Sequence, residues 1–169
     1  MRNAYGMTLL ELLFTLALLT IITSMAAPAM GRLVADIRLS SAANDWLTTA
    51  LHTRQEAMSR GRSLIFCPGH EDTCSNNGDS GAWLAGVPQP DDRLQALRYL
   101  PPAPSGVERH SNRHRFHFHP DGSATNGSVV FCDQGARVQA RVVILNLAGR
   151  PRIEQREHQA VCATAGTTE

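Results

Sequence analysis

From Leu12 to Gly31 the chain runs for 20 residues without a charged side chain, LLFTLALLTIITSMAAPAMG. As a helix rising about 1.5 Å per residue, such a run spans the roughly 30 Å hydrocarbon core of a bilayer. It reads as a membrane span. A secretory signal with a cleavage site in the Ala-rich SMAAPAM is the alternative. Glu11 stands at the edge of the run, where a carboxylate costs about 2.5 kcal/mol or more unless it is paired. So expensive a charge points to a function. Before it lies a short leader, Met1 to Gly6, with Arg2 as its one charge, and then MTLLELLFTLALL.

Gly6, the hydrophobic Met7, Thr8 and a Glu five residues after the Gly resemble the class III leader of type IV pilins and type II secretion pseudopilins. Pro28 also falls where that family commonly carries a proline, which removes a helix hydrogen bond and kinks or melts the local turn. Met7 stands where Phe is usual. The resemblance implies cleavage after Gly6 by a prepilin peptidase, which also methylates the new N-terminus at Met7. It further implies pairing of Glu11 with a neighbouring subunit's terminal amine in a filament.

The 169 residues are 43% hydrophobic and 18% charged, which suits one modest globular domain. The apolar run takes a large share of that hydrophobicity, so a two-domain enzyme is disfavoured. All 16 basic side chains are Arg, against 15 acidic ones. Loss of Arg2 with the leader leaves the mature chain formally neutral, so an anionic partner must be held by a local patch rather than by net charge.

Leu33, Val34, Ile37, Leu47, Ala50, Leu51, Ala57 and Met58 recur at helical spacing among charged residues and predict an amphipathic helix to about Arg60. From Gly61 on the chain holds 11 of its 13 Gly and eight of its nine Pro, a composition of short strands and turns. Strands are predicted at Ser63 to Cys67, Ala82 to Val87, Leu94 to Leu100, Arg115 to His119, Ser128 to Cys132, Val138 to Leu147 and Ile153 to Gln155. The stretches around Gly78, Pro88 to Asp92 and Pro101 to Gly106 read as loops. The expected class is α+β and pilin-like, a long N-terminal helix packed on a C-terminal antiparallel sheet. Its parts are a leader (1–6), a transmembrane helix (7–31), the amphipathic continuation (32–60) and a β-rich globular domain (61–169).

That globular part resembles the GspH/FimT minor-pilin family through SLIFCPGHEDTC, GAWLAGV, FHPDGSA, SVVFC and RVVILNLAGRPRI, in that order. Four Cys, at 67, 74, 132 and 162, all follow the span and so lie on the side to which pilins export their globular part. An even number there suggests two disulfides, with three possible pairings. Cys67–Cys74 and Cys132–Cys162 is the chosen one, since a tail after the last strand would otherwise fray. Zinc is the alternative, but C-x6-C and C-x29-C lack the tight knuckles of a structural zinc site. On a strand, His117 and His119 would share a face with Arg115, opposite Phe116 and Phe118. A cation beside Arg115 is disfavoured, so a solvated strand face is expected, able to add positive charge at acidic pH. No nucleophile elbow, zinc-protease helix or phosphate loop occurs. Neither catalysis, metal nor cofactor is expected.

Between Arg137 and Arg156 there are five Arg and one acidic residue, Glu154. Gly149 supports a tight turn and Pro151 stiffens its exit, so Arg150 and Arg152 are presented together, with Arg156 on the same side and Arg137 and Arg141 on the preceding strand. Such residues could simply keep an edge soluble by pairing with Glu154 or Glu157. Gly149-Arg150-Pro151-Arg152, however, resembles the G-R-x-R motif associated with DNA binding in FimT-type minor pilins of competent bacteria. Guanidinium groups at a turn contact phosphates without reading bases, so binding would be sequence-independent and salt-dependent.

The resemblance therefore implies a minor pilin of a type IV pilus, acting in assembly and in uptake of extracellular DNA for natural transformation. Its partners would be the DNA backbone, other major and minor pilins, the prepilin peptidase and the inner membrane. It would be a single-pass inner-membrane protein with a periplasmic domain before entering the pilus. A minor pseudopilin of a type II secretion system, a structural tip component without DNA binding, is the alternative.

Overall fold

The structure, a computed structural model, describes residues 8–75 and 81–165. Gly6 and Met7, and with them the leader and its cleavage point, lie outside the described residues. The chain divides into two compact units, residues 1–34 and 35–169. Helix α1 (Leu9–Arg60) supplies all of the first unit that is described except Thr8 and enters the second.

In the first unit Leu9, Leu10, Phe14, Leu19, Ile22 and Met25 are all exposed. Thr15, Thr20, Thr23 and Ser24 turn their hydroxyls back onto carbonyls three or four residues earlier, which leaves the helix surface apolar. By length and composition this segment is able to cross a membrane.

In the second unit α1 buries Ala35, Leu39, Ala42, Ala43, Trp46, Thr49, Ala50, Thr53 and Ala57. These recur every three or four residues and form one stripe. Leu33, Val34, Ile37, Leu51 and Met58, expected on the buried face, are exposed instead. Small residues line the stripe because they let strands approach the helix closely, and Trp46 fills the volume they leave. Thr49 and Thr53 enter it because their hydroxyls donate to the carbonyls of Asp45 and Thr49.

Among the described residues nine strands follow: β1 (Leu64–His70), β2 (Thr73–Cys74), β3 (Trp83–Pro88), β4 (Leu94–Leu100), β5 (Val107–Ser111), β6 (Phe116–Phe118), β7 (Gly127–Asp133), β8 (Ala140–Leu145) and β9 (Pro151–Arg156); α2 (His158–Ala165) ends the described chain. They form two antiparallel sheets rather than the single sheet expected. One is ordered β2-β1-β3-β4, with β6 also paired to β1; the other is ordered β5-β7-β8-β9. The helical stripe packs against both, with Phe66, Trp83, Phe116, Phe118, Val129, Phe131, Val143 and Leu145.

Trp46, Phe66, Trp83 and Phe116 meet at ring-centroid distances of 4.9 to 6.0 Å. Truncating one such ring costs about 3–5 kcal/mol. On the far face of the first sheet Ile65, Cys67, Leu84 and Leu94 make a small second cluster with Cys74. The Cys67–Cys74 disulfide closes over it.

Candidate functional site: the arginine turn and the outer face of the second sheet

Alternation along β7 and β8 sends Val129, Phe131, Val143 and Leu145 to the core. Ser128, Val130, Val142 and Ile144 therefore occupy the opposite, outer face. Register carries that assignment to the edge strand β9, where Arg152 pairs with Ile144, Glu154 with Val142 and Arg156 with Ala140. The sequence periodicity thus puts Arg152, Glu154 and Arg156 on one outward row. Glu154 accepts from Arg152 Nε at 2.9 Å and from Arg156 Nη2 at 2.8 Å. Those two guanidinium groups, Arg156 foremost, hold its carboxyl below the usual carboxylate range, so it stays ionised. The trio carries a net single positive charge.

Arg150 sits at the end of the β8–β9 turn. Its backbone N–H donates to Asn146 Oδ1 at 2.9 Å, while its exposed guanidinium meets no carboxylate among the described residues. The turn is closed by a hydrogen bond from Gly149 N to Asn146 O at 2.9 Å, and Ala124 N donates to Leu147 O at 3.0 Å. Gly149 is buried at φ +66°, and a Cβ there would collide with the Gly122 carbonyl and lie 2.7 Å from Arg54 Nε. Arg54, on α1, donates that Nε to the Gly122 carbonyl at 2.8 Å. Helix, β6–β7 turn and arginine turn therefore interlock at one point.

Two arginines expected on this surface are placed elsewhere. Arg141 belongs to the inward set of β8, opposite Phe131 and Gln155. It is buried, and its Nη2 donates to Asp36 on α1 at 2.6 Å. A strand's alternation assigns it to the side of the sheet away from Arg152. Arg137 is exposed but lies in the β7–β8 connection, a strand length of about 17 Å from the arginine turn. There it grips Asp133 with Nε at 3.0 Å and Nη2 at 2.8 Å. Those bonds hold the buried Asp133 carboxyl below its ordinary range.

Cys67 and Cys74 are bonded, as are Cys132 and Cys162, the pairing chosen from sequence. The second bond fastens α2 to β7. His158 lies with the two sulfurs of that bond, and its Nε2 is 2.9 Å from the Asp133 carbonyl. On β6, Phe116 and Phe118 are buried and His117 faces the other way. Partial burial, then His119 and Arg115, keep His117 below the usual histidine range, so it charges only at more acidic pH.

Sequence reasoning missed Arg54, Asn112 and Asn146. For Asn146 a signal existed, an Asn three residues before a Gly at a strand end. Arg54 gave none, since its partner lies 68 residues away.

A long helix with an exposed apolar first half, continuing into a stripe packed on antiparallel sheets, defines a pilin-type protein. The chain belongs to the family described as Type II transport protein GspH, which its residues 42–149 match. Residues 1–27 match the prokaryotic N-terminal methylation motif, which implies processing by a prepilin peptidase and assembly with other pilins. The fold is similar to the Pseudomonas aeruginosa type IV minor pilin FimU, with a TM-score of 0.57 at 18% identity over 69% of this chain and 87% of that one. It is also similar to the Vibrio cholerae type II secretion minor pseudopilin EpsH, with a TM-score of 0.56 at 12% identity over 70% of this chain and 97% of that one. Among curated proteins none matches the sequence significantly.

Proposed function

We propose that this chain is a non-enzymatic minor pilin of a type IV pilus that binds DNA without regard to sequence and serves natural transformation. It is cleaved after Gly6, methylated at Met7, held in the inner membrane with its globular domain in the periplasm, and drawn into the filament with Glu11 paired to a neighbouring subunit. The observation that carries the reading is Arg150. Its guanidinium projects from a turn fixed at Gly149 by Arg54 and Gly122, and no carboxylate among the described residues neutralises it. Arg152 and Arg156 extend the cation along β9, two charges against the one of Glu154. So few contacts bind weakly per subunit, and several subunits along a filament multiply them.

The test is a gel-shift titration of the full chain in non-ionic detergent against unrelated duplexes at several salt concentrations. Arg150→Ala and Arg152→Ala each weaken binding, and the double variant nearly abolishes it with the fold intact. The slope of log affinity against log salt becomes shallower by about one unit per lost phosphate contact. Arg152→Lys keeps the charge but loses the planar fork, so it also binds less well. Glu154→Gln releases both flanking guanidinium groups and tightens binding. A double Ala variant that binds like its parent overturns the reading. The family's description favours a second reading, a type II secretion pseudopilin without DNA binding, and a parent chain that shifts no duplex at low salt supports that one.

A further inference from the structure

At the turn end of the second sheet a groove of about 650 Å³ opens on the outer face, floored by Val142 and Ile144 and edged by Asn112, Asn126, Asn146 and Arg156. One row runs there from β9 across β8 and β7 to the residue that follows β5. Asn112 follows β5, Ser128 is on β7, Ile144 on β8 and Arg152 on β9, with Ser128 opposite Ile144 and Ile144 opposite Arg152. At about 4.8 Å between strands the row is about 14 Å long.

The amides at its edge are oriented by the fold. Asn112 Oδ1 accepts the Ser128 backbone N–H at 2.8 Å, and Asn146 Oδ1 accepts the Arg150 backbone N–H at 2.9 Å. Each carbonyl oxygen is thus turned toward the chain. Each Nδ2, a donor of two hydrogens, is left without a protein acceptor among the described residues. The groove edge therefore presents donors from Asn112 to Arg156, no carboxylate is among the described residues that line it, and Glu154 on β9 is occupied by Arg152 and Arg156.

We propose that this groove is the continuation of the DNA site. The phosphate backbone of one duplex strand crosses the outer face of the sheet from the arginine turn toward β5, and the amide groups of Asn146, Asn126 and Asn112 donate to its phosphate oxygens. Charge complementarity selects the occupant, since a rim of donors with a cationic end fits an anion-bearing polymer and rejects an acidic-poor peptide. The inference rests on the DNA-binding reading and adds residues that the arginine motif does not contain.

The decisive variant is Asn112→Asp in the full chain in non-ionic detergent, titrated with a duplex at about 0.1 M salt. The Asp keeps an oxygen for the Ser128 N–H and so preserves the strand end, but it replaces the donor with an anion. Asn126→Asp is the companion, because Asn126 makes no side-chain hydrogen bond that the fold depends on among the described residues. Gln95→Glu, exposed on β4 of the other sheet, changes net charge equally and serves as control. Each Asn→Asp change lowers affinity about ten-fold, and Gln95→Glu less than two-fold. If both Asn variants stay within two-fold of the control while Arg150→Ala/Arg152→Ala abolishes binding, the groove is not used and the DNA reading stands. If the parent itself fails to bind, both fall together.

Discussion

Gly149 is fixed by two separate demands. Its φ of +66° disfavours any side chain, and the space a Cβ would fill holds the Gly122 carbonyl and Arg54. Gly61 separates the two, because it has φ +60° with nothing within 4 Å of its ideal Cβ. Gly61→Ala costs about 1–2 kcal/mol, the ordinary left-handed penalty. Gly149→Ala costs more, roughly 2–4 kcal/mol, and displaces the turn, so DNA affinity drops although Arg150 and Arg152 both remain. Thermal melts of the two variants beside a gel shift check this. From sequence, Gly149 was legible as a turn residue, but its neighbours were not, since Arg54 and Gly122 come from distant segments. For the arginines, spacing gave the right side to Arg152 and Arg156. Arg141 was misplaced because residues on a neighbouring strand are assigned to a face only by register, which hydropathy does not reveal when an Arg occupies an inward position.

Register also decides what the elements do for one another. Arg141 on β8 and Asp36 on α1 are 105 residues apart and bonded at 2.6 Å, tying the helix to the second sheet where the small-residue stripe begins. Asp36 remains nearly half exposed, so solvent screens the pair and Arg141→Met costs only about 1–2 kcal/mol. Denaturant titration reads that loss, and the affinity of the folded protein for DNA stays within two-fold of the parent. The long helix and seven of the strands were visible as periodicity and β-branched runs. β5 was not, because its inward positions are Val107 and Arg109, and the latter lies buried over the Trp83 ring. β2 has two residues, too few for a pattern. α2 is held by a disulfide to β7 and lies against β7 and β8; at eight residues it is too short to show a helical period, so it was hidden in what read as a tail.

Across the whole molecule, an apolar helix able to cross a membrane and the arginine turn proposed to bind DNA belong to the same chain. The methylation motif covers residues 1–27, and the proposed cleavage after Gly6 predicts that the protein recovered from its host starts at N-methylated Met7, which mass spectrometry of the N-terminal peptide checks. A terminus near Met30 instead identifies an ordinary secretory signal and removes the pilin reading of the leader. On the proposed pairing of Glu11 with a neighbouring subunit, Glu11→Ala still enters the membrane but is depleted from sheared filaments.

The bond from Arg54 to the Gly122 carbonyl also has a mechanical meaning. Tension drawn along α1 reaches the arginine turn directly through that side chain and the close packing at Gly149, beside the paths through the Arg141–Asp36 bond and the buried stripe. The route is shorter than the one through the hydrogen-bonded ladders of β7, β8 and β9, which a pull at β9 would open one pair at a time. On the proposed DNA-binding reading, a strand pulled at Arg150 loads the helix at this point as well as through β9, so the edge strand does not carry the whole pull.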